Sequence, residues 1–312
     1  MHMSLVSIII VNYRTPDLTI RCIDSVYATT KTPFEIIVVD NASGDNSQEK
    51  ICTKFGDVVW IQNKRNEGFG RANNIGVANA KGDYVLLLNS DMVVADGTID
   101  SCLEQIKKDN SIAAFTCKLV NIDGSNQNNL SRDIVDLKRN LNNNIIFVKI
   151  FGEISVKITT IRAIMGAFML MRKSVFDEFG GFDPDFFMYF EEIDLCRRIV
   201  ASGKYHFDYS EDVYAVHKHE GSSVGKMWNR RQRILSESLM VYKMYGYGGF
   251  AFYHFIQFNT VISNLIVSLF IKKYREISLL HFKAYMRNLP KNIVLPLCYS
   301  RKIGTGKRLL KV

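Results

Sequence analysis

The sequence predicts an α/β fold in which a mostly parallel, Rossmann-like sheet is flanked by helices. Two observations lead to this prediction. Short apolar strands alternate with helical stretches through residues 1–116, and these strands are rich in Val, Ile and Leu with few polar interruptions. Strands of this kind are buried on both faces, which is typical of doubly wound parallel sheets.

Each element follows from its local pattern. Predicted strands cover residues 7–11, 35–40, 58–61, 84–88, 112–116 and 163–171. Predicted helices cover residues 16–26, 70–80, 98–108 and 191–202, and the first begins at Pro16, which suits the first turn of a helix. Residues 121–145 are rich in Asn and lack periodicity, so they predict a long loop, of the kind that often serves as a lid.

Composition and charge indicate two regions. Hydrophobic residues make up 47% and charged residues 23% of the 312 residues, as expected of a globular protein. Residues 226–312 carry 16 Lys and Arg against 2 Asp and Glu, a balance of +14, whereas residues 1–225 carry 24 against 29, a balance of −5. We therefore predict an α/β domain over 1–225 and a basic helical region over 226–312 that meets an anionic partner.

The basic region contains a long uncharged stretch. Residues 246–271 include no Asp, Glu, Lys or Arg, and Lys272 and Lys273 follow directly. The stretch is long enough to span a bilayer. Its polar interruptions, among them His254 and Asn264, fit a helix in the membrane interface better. A buried helix of the globular body is the third interpretation.

Cysteine usage and the N-terminus bear on the compartment. The six cysteines form no C-x-x-C pair, so neither a zinc site nor a disulfide framework is indicated. The first residues lack a basic segment followed by a long apolar run, so no signal peptide is expected. These observations favour a reducing, cytoplasmic setting.

Acidic residues follow two of the predicted strands. Asp40 ends the second strand, where its carboxylate is suited to accept a hydrogen bond from a nucleobase imide. Asn89, Ser90 and Asp91 follow the fourth strand, and Asp91 is a hard oxygen ligand for Mg²⁺ or Mn²⁺. Ligands of doubly wound sheets bind at these strand ends. A turn or a helix cap is the alternative interpretation of each residue.

A glycine-containing helix start offers an anion site. Gly68 and Gly70 allow close backbone approach at the start of the 70–80 helix, and Arg71 is placed to pair with a phosphate. Neither the P-loop pattern nor G-x-G-x-x-G is present. The missing dinucleotide motif argues against a Rossmann dehydrogenase.

Two further groups carry candidate chemistry. Glu191, Glu192 and Asp194 crowd the first turn of the 191–202 helix after an aromatic run, which would desolvate a carboxylate and make it a general base. Favourable interaction with the helix dipole is the structural alternative. His217 and His219 are two positions apart on a predicted strand, so their side chains point to the same face. Both are candidates to complete the ligand set of a metal ion.

These motifs occur in one order along the chain. In this order they resemble family 2 inverting glycosyltransferases of the GT-A fold, in particular the bacterial branch that includes rhamnosyltransferases and other enzymes of cell-surface polysaccharide synthesis, such as O-antigen. The matching stretches are residues 6–13, 38–43, 66–76, 86–91, 166–172, 180–197 and 217–223. The resemblance implies a metal-dependent hexosyltransferase that uses Mg²⁺ or Mn²⁺ and a dTDP- or UDP-sugar, with rhamnose first.

The resemblance also implies roles for individual residues. Asp91 and His217 would bind the metal, with His219 as the alternative to His217. Glu192 would be the general base, with Glu191 as the alternative and Asp194 beside them. The implied nucleotide-binding residues are Val11, Tyr13, Asp40, Asn66, Gly68, Arg71, Asn74 and Ser90.

The resemblance implies partners as well. We expect a nucleotide-sugar donor, a saccharide acceptor that is lipid-linked, and an anionic membrane surface that meets the C-terminal region, which places the protein at the inner face of the cell membrane. Two alternatives remain: a catalytically inactive nucleotide-sugar-binding relative, and a nucleic-acid-binding protein that uses the basic tail. The uncharged apolar stretch inside the tail argues against nucleic acid as a partner.

Overall fold

The computed structural model describes residues 4–127, 130–132, 144–151, 162–218 and 225–300. The strands are β1 Val6–Asn12, β2 Phe34–Asp40, β3 Val59–Gln62, β4 Tyr84–Asn89, β5 Met92–Val94, β6 Ile112–Val120, β7 Asn126–Gln127, β8 Leu130–Arg132, β9 Arg162–Ile164, β10 Phe168–Arg172 and β11 His206–His217. The helices are α1 Pro16–Thr29, α2 Ser47–Lys54, α3 Phe69–Ala78, α4 Thr98–Lys108, α5 Ile145–Phe151, α6 Lys173–Glu178, α7 Glu191–Ala201, α8 Lys226–Phe270 and α9 Arg275–Ser300.

The central sheet confirms the predicted α/β class. Its strand order is β3-β2-β1-β4-β10-β6-β11-β5, with β7 paired to β6. Strands β1 to β4 pair in parallel, as predicted. Strand β10 runs antiparallel to both β4 and β6, so this part of the sheet is mixed. The sequence could not reveal the direction of β10, because an apolar strand that is buried on both faces has the same pattern in a parallel and in an antiparallel pairing.

Several elements differ from the sequence prediction. The strand expected over 163–171 is two strands, β9 and β10, interrupted at residues 165–167. The loop expected over 121–145 contains β7 and β8, while residues 128–129 and 133–143 lie outside the described part. Elements α2, β5 and α6 were not predicted, and of β11 only the end at His217 was expected to be a strand. The first three are short, and polar residues interrupt β11. Their hydrophobic periodicity is therefore too weak to predict a helix or a strand.

The chain divides into two compact units. The first comprises Met1–Arg132, Ile161–Asp183 and Glu191–Ser222, and the second comprises Asp133–Thr160, Pro184–Phe190 and Ser223–Val312. The first unit holds the sheet, and its core is built from the apolar residues of β1, β2, β4 and β6 together with α1 and α4. The second unit contains α5, α8 and α9, so it draws on more of the chain than the predicted region 226–312.

Close packing of α3 on the sheet positions the start of that helix. A Cβ atom on Gly76 would lie 2.3 Å from Ile9 Cγ2 and 3.2 Å from Val39 Cγ2. Glycine at this position therefore lets α3 approach β1 and β2 at contact distance. The approach brings the first turn of α3 to the edge of the sheet where β2 ends.

Helix α8 of the second unit consists of two helical segments. They meet at Gly246, which has φ 65° and ψ −164°, a conformation open to glycine and strained for other residues. The rings of Tyr242 and Phe250 pack edge to face across the break at 5.9 Å. The core of this unit includes Ile234 from the first segment, Val261 from the second and Tyr285 from α9.

Candidate active site

The candidate site lies where β1, β2 and β4 end. Val11 pairs with Val39 on one side and with Asn89 on the other, so the three strands end at one level. Asp40 closes β2, and Asp91 follows β4 by two residues. The parallel register therefore brings the two predicted acids to the same edge of the sheet, as is usual for ligand sites in such folds.

The carboxylate of Asp40 is buried and fully hydrogen-bonded. Asp40 is only 2% exposed. Oδ1 accepts from Asn12 Nδ2 at 2.7 Å and from Ser43 Oγ at 2.5 Å. Oδ2 accepts from Ser43 N at 2.9 Å and from Gln62 Nε2 at 2.7 Å. These four bonds fill the acceptor capacity of a carboxylate, so a nucleobase would reach Asp40 only by displacing the exposed Gln62 amide.

Hydrogen bonds connect this cluster to the end of β4. Asn12 Oδ1 accepts from Thr19 Oγ1 at 2.9 Å and from Thr15 Oγ1 at 3.4 Å. Thr15 Oγ1 also lies 3.3 Å from Ser90 Oγ. Ser90 was among the predicted site residues, but Asn12 was not, although it ends β1 and lies in the matching stretch 6–13.

The segment after β1 is held against the turn that follows β2. Arg14 has φ 59°, its backbone N donates to Ser43 Oγ at 2.8 Å, and its Nε donates to Ser43 O at 3.1 Å. The Arg14 guanidinium lies 5.3 Å from the centre of the Tyr13 ring. Val11 and Tyr13, both predicted nucleotide contacts, are half-buried beside Asn12.

Asn41 holds the loop that precedes α3. Its Oδ1 accepts from Glu67 N at 2.8 Å and from Asn63 Nδ2 at 3.1 Å. Its Nδ2 donates to Asn66 Oδ1 and to Gly68 O, both at 3.0 Å. Asn66 Oδ1 also accepts from Gly68 N at 2.9 Å. The predicted residues Asn66 and Gly68 therefore belong to a hydrogen-bonded loop beside Asp40, and Asn41 is the residue that the sequence did not single out.

The other two predicted residues of α3 make structural contacts. Arg71 Nη1 lies 3.6 Å from Glu67 Oε2, so Arg71 forms an ion pair with the loop just before α3. Asn74 Nδ2 donates to Phe182 O at 2.8 Å, and Asn74 Oδ1 accepts from Phe182 N at 2.9 Å. Asn74 thus ties α3 to the turn before residue 184, and the predicted contact of each residue with a nucleotide stays a prediction.

Asp91 and His217 meet across the ladder of β5 and β11. His217 Nε2 lies 3.4 Å from Asp91 Oδ1, and both residues are 6% exposed. The antiparallel register pairs Met92 with His217, and Lys218 N donates to Asp91 O at 3.1 Å. His219 and the small residues after it lie outside the described part of the chain, so this site is built with His217.

The Asp91–His217 pair fits a divalent cation as a donor set. It offers one carboxylate oxygen and one imidazole nitrogen, and octahedral ligands at about 2.1 Å from a metal lie roughly 3 Å apart. Among the described residues, no cluster of three or more His, Cys, Asp or Glu side chains occurs. A cation held by this pair would take its other ligands from substrate phosphates or water, as Mg²⁺ commonly does.

The two glutamates at the start of α7 have different surroundings. Glu191 is 4% exposed, and a Cβ on Gly70 would lie 3.4 Å from Glu191 Cβ. Burial, and then the nearby charge of Glu192, raise the pKa of Glu191 well above 4.5. Glu191 Oε2 has no hydrogen-bond partner within the described residues. Glu192 is half-buried, and a Cβ on Gly166 would lie 4.0 Å from its Cβ.

Glu192 is connected to the end of β4 through the turn before β10. Asn89 N donates to Ala167 O at 3.0 Å, which places this turn beside the end of β4. Gly166, the neighbour of Ala167, approaches Glu192. The acids Asp40, Asp91 and Glu192 therefore gather around one edge of the sheet in the first unit.

Asp194 has a structural partner on its own helix. Its Oδ2 accepts from Arg198 Nε at 2.9 Å, in a pair one helical turn apart. Arg198 also donates to the carbonyls of Phe179 and, at 2.6 Å, Gly181. Asp194 thus anchors α7 to the turn at residues 179–181. The predicted role of Asp194 near the reacting groups stays a prediction.

The fold and the site together define an α/β protein with acidic side chains gathered at the ends of parallel strands, a typical arrangement of nucleotide-binding proteins. A comparison with protein families identifies the family. The model for glycosyl transferase family 2 matches residues 7–180, and the chain belongs to this family.

Curated relatives share parts of the chain. The rhamnosyltransferase WbbL of Escherichia coli K12 is 28% identical over 228 residues, which cover 68% of this chain and 83% of that protein. A chondroitin synthase of Pasteurella multocida is 35% identical over 125 residues, which cover 39% of this chain and 13% of the synthase. The matched part is thus a small fraction of that longer relative.

A solved structure confirms the GT-A fold. The mannosyltransferase PcManGT from Pyrobaculum calidifontis, solved in complex with GDP-Man and Mn²⁺, superposes with a TM-score of 0.56 at 15% identity. The superposition covers 94% of this chain and 88% of the mannosyltransferase.

Proposed function

We propose that this chain transfers a sugar from a nucleoside-diphosphate donor to an acceptor hydroxyl, with inversion at the anomeric carbon. The observation that supports this most is the gathering of Asp40, Asp91 and Glu192 at one strand edge of a family 2 chain. These acids match the three needs of such a transfer: a nucleotide contact, a metal ligand and a base.

The donor is a dTDP- or UDP-sugar in this proposal. The Asp40 cluster and the loop held by Asn41 would bind the nucleoside, and Gln62 would give up its bond to Asp40 when the base enters. Rhamnose is the first candidate sugar, because a rhamnosyltransferase is among the relatives that match most of their own length. The acceptor would then be a saccharide of a cell-surface polysaccharide such as O-antigen.

Asp91 and His217 would hold Mg²⁺ or Mn²⁺. When bound, such a cation neutralises the charge that builds on the departing nucleoside diphosphate. The near-burial of both residues strengthens their interaction with a cation, because water screens it less there.

Glu192 would take the proton of the acceptor hydroxyl. It is the more exposed of the two adjacent glutamates, and a base must reach within about 3 Å of the proton that it removes. Glu191 is buried and its pKa is raised well above its ordinary value, so it is the poorer candidate for the base. A single displacement needs no covalent intermediate.

The C-terminal helices would hold the protein on an anionic membrane surface, where lipid-linked acceptors are found. Helix α8 contains a window apolar enough to cross a bilayer, and one third of that window is buried. Its second segment exposes a continuous apolar face. The exposed apolar residues of this face are Tyr247, Phe252, Phe255, Phe258, Ile266, Leu269 and Phe270.

This face has the chemistry of a membrane-interface helix. Phe255 is 67% exposed and Phe270 is 83% exposed, and the exposed cations Lys272 and Lys273 follow at the end of the helix. Aromatic groups bind at the level of the lipid headgroups, while lysines attract anionic lipid. The protein would be cytoplasmic and peripheral on the inner face of the membrane.

A thermal-shift screen tests the function. The full chain is heated with UDP, dTDP or GDP, each with and without Mn²⁺. We expect a higher Tm with one nucleotide and a further increase with Mn²⁺, because a ligand that binds the folded state stabilises it. The proposal would be contradicted if none of the three nucleotides raised the Tm. Donor turnover then separates an active transferase from an inactive nucleotide-sugar-binding relative.

A further inference from the structure

Gln127, on β7, makes three hydrogen bonds next to the Asp91–His217 pair. Its Oε1 lies 3.0 Å from His217 Nδ1. Its Nε2 donates to His217 O at 2.9 Å and to Asn121 Oδ1 at 2.6 Å. Since the amide nitrogen already donates to two oxygens, the amide oxygen is the atom that faces the imidazole.

The direction of these bonds is set at the far end of a chain of side chains. Asp123 Oδ1 accepts from Ser125 Oγ at 2.6 Å, and Ser125 Oγ in turn accepts from Asn121 Nδ2 at 2.8 Å. The Ser125 hydroxyl and its backbone N–H lower the pKa of Asp123, so this carboxylate is ionised and only accepts. Ser125 must therefore donate to Asp123, and Asn121 must present its oxygen to Gln127.

We propose that Gln127 is a positioning residue that holds His217 in the tautomer with a proton on Nδ1. The chain of bonds from Asp123 obliges Gln127 Oε1 to accept, so Nδ1 must donate. In the neutral imidazole, Nε2 then carries the lone pair, 3.4 Å from Asp91 Oδ1. Two acceptors facing each other attract a shared cation. The tautomer stands on the hydrogen bonds alone, and its use for a metal rests on the proposed function.

The tautomer is measured by NMR on the metal-free full chain with ¹⁵N-labelled histidine. Spectra are recorded at about pH 9, well above the ordinary imidazole pKa of about 6.5. The His217→Gln variant identifies the signals of His217. We expect a protonated Nδ1 and an unprotonated Nε2 in the natural protein, and a mixture of both tautomers in Gln127→Met. Asn126→Leu, at the exposed neighbouring position of β7, is the control and should match the natural protein.

Gln127→Glu separates the hydrogen bond from a loss of folding. It keeps an acceptor for Nδ1, so the natural tautomer should persist. Predominance of the Nε2-protonated form in the natural protein, or an unchanged tautomer in Gln127→Met, would overturn the inference.

Titration with Mn²⁺ alone tests the consequence for metal binding. Residues that hydrogen-bond the outer nitrogen of a metal-bound histidine change metal affinity by about 10- to 100-fold, so Gln127→Met should weaken Mn²⁺ binding by that factor. Equal Mn²⁺ affinity in Gln127→Met and the natural protein would refute a role of Gln127 in metal binding. Failure of the natural protein to bind Mn²⁺ would instead refute the metal site of the proposed function, while the tautomer result would stand.

Discussion

His217 Nε2 lies 3.4 Å from Asp91 Oδ1, where the ladder of β5 and β11 begins. The two residues are far apart in sequence, and each alone is an ordinary turn or strand residue. The antiparallel register that pairs Met92 with His217 is what brings their side chains together. This pair is the part of the site with the most direct consequence for experiment.

Replacement of Asp91 should remove the effect of the metal on donor binding. In Asp91→Ala, the affinity for the nucleoside diphosphate measured by calorimetry with Mn²⁺ should fall at least about 10-fold, because the carboxylate is a hard ligand for such cations. Affinity without Mn²⁺ should change little. Asp96→Ala, at an exposed position near β5, is the control. Unchanged affinity with Mn²⁺ would exclude Asp91 from the metal site.

The two glutamates of α7 should respond differently to replacement by Gln. Glu192→Gln should lower turnover by about 10²- to 10⁴-fold, the usual contribution of a general base, while donor binding stays nearly intact. Glu191→Gln should cost much less, because burial raises the pKa of Glu191 and so favours its neutral form, which has the shape of Gln. Steady-state kinetics of both variants decide the matter, and the reverse order of losses would make Glu191 the base.

The raised pKa of Glu191 predicts how stability depends on pH. A carboxyl whose pKa is higher in the folded state binds its proton more tightly there, so its contribution is fully present below the unfolded pKa. That contribution is lost as the pH rises from about 4.5 through the folded pKa. Urea unfolding at several pH values should show the natural protein losing stability relative to Glu191→Gln as the pH rises. A constant difference between the two proteins would show that Glu191 titrates normally.

The exposed face of α8 should determine membrane binding. Phe255→Ser combined with Phe270→Ser should weaken binding to vesicles with anionic lipid by about 10-fold or more, because burial of one Phe contributes about 1.5–3 kcal/mol. Lys272→Gln with Lys273→Gln should weaken vesicle binding further and reduce its salt dependence, because each lysine contributes about 1 kcal/mol to binding at an anionic surface. Sedimentation with vesicles measures both effects.

Exposed aromatic residues outside this face supply the matched control. Tyr214→Ser removes one from β11 and should leave vesicle binding unchanged. Equal binding of the natural protein and the Phe255 and Phe270 double variant would argue that the face contacts another protein. Binding of the natural protein to nucleic acid through residues 226–312 would favour the alternative interpretation of this basic region.

Local sequence was enough to predict the fold class and the family. The runs around β1, β2 and β4 are apolar enough to be recognised as buried strands, and the order of motifs after them matches the family found by comparison. The positions of Asp40 and Asp91 at strand ends follow from the same pattern. These patterns can be recognised from the sequence because they depend on residues that are close together along the chain.

Tertiary structure alone decided which groups face one another. It shows that Asn12, Ser43 and Gln62 fill the acceptor positions of Asp40, that β10 runs antiparallel to β4, and that Gln127 Oε1 lies 3.0 Å from His217 Nδ1. It also separates a buried Glu191 from a half-buried Glu192, although the two are adjacent in sequence. These relationships depend on strand direction, register and burial, which are properties of contacts between distant segments and leave no period in the sequence.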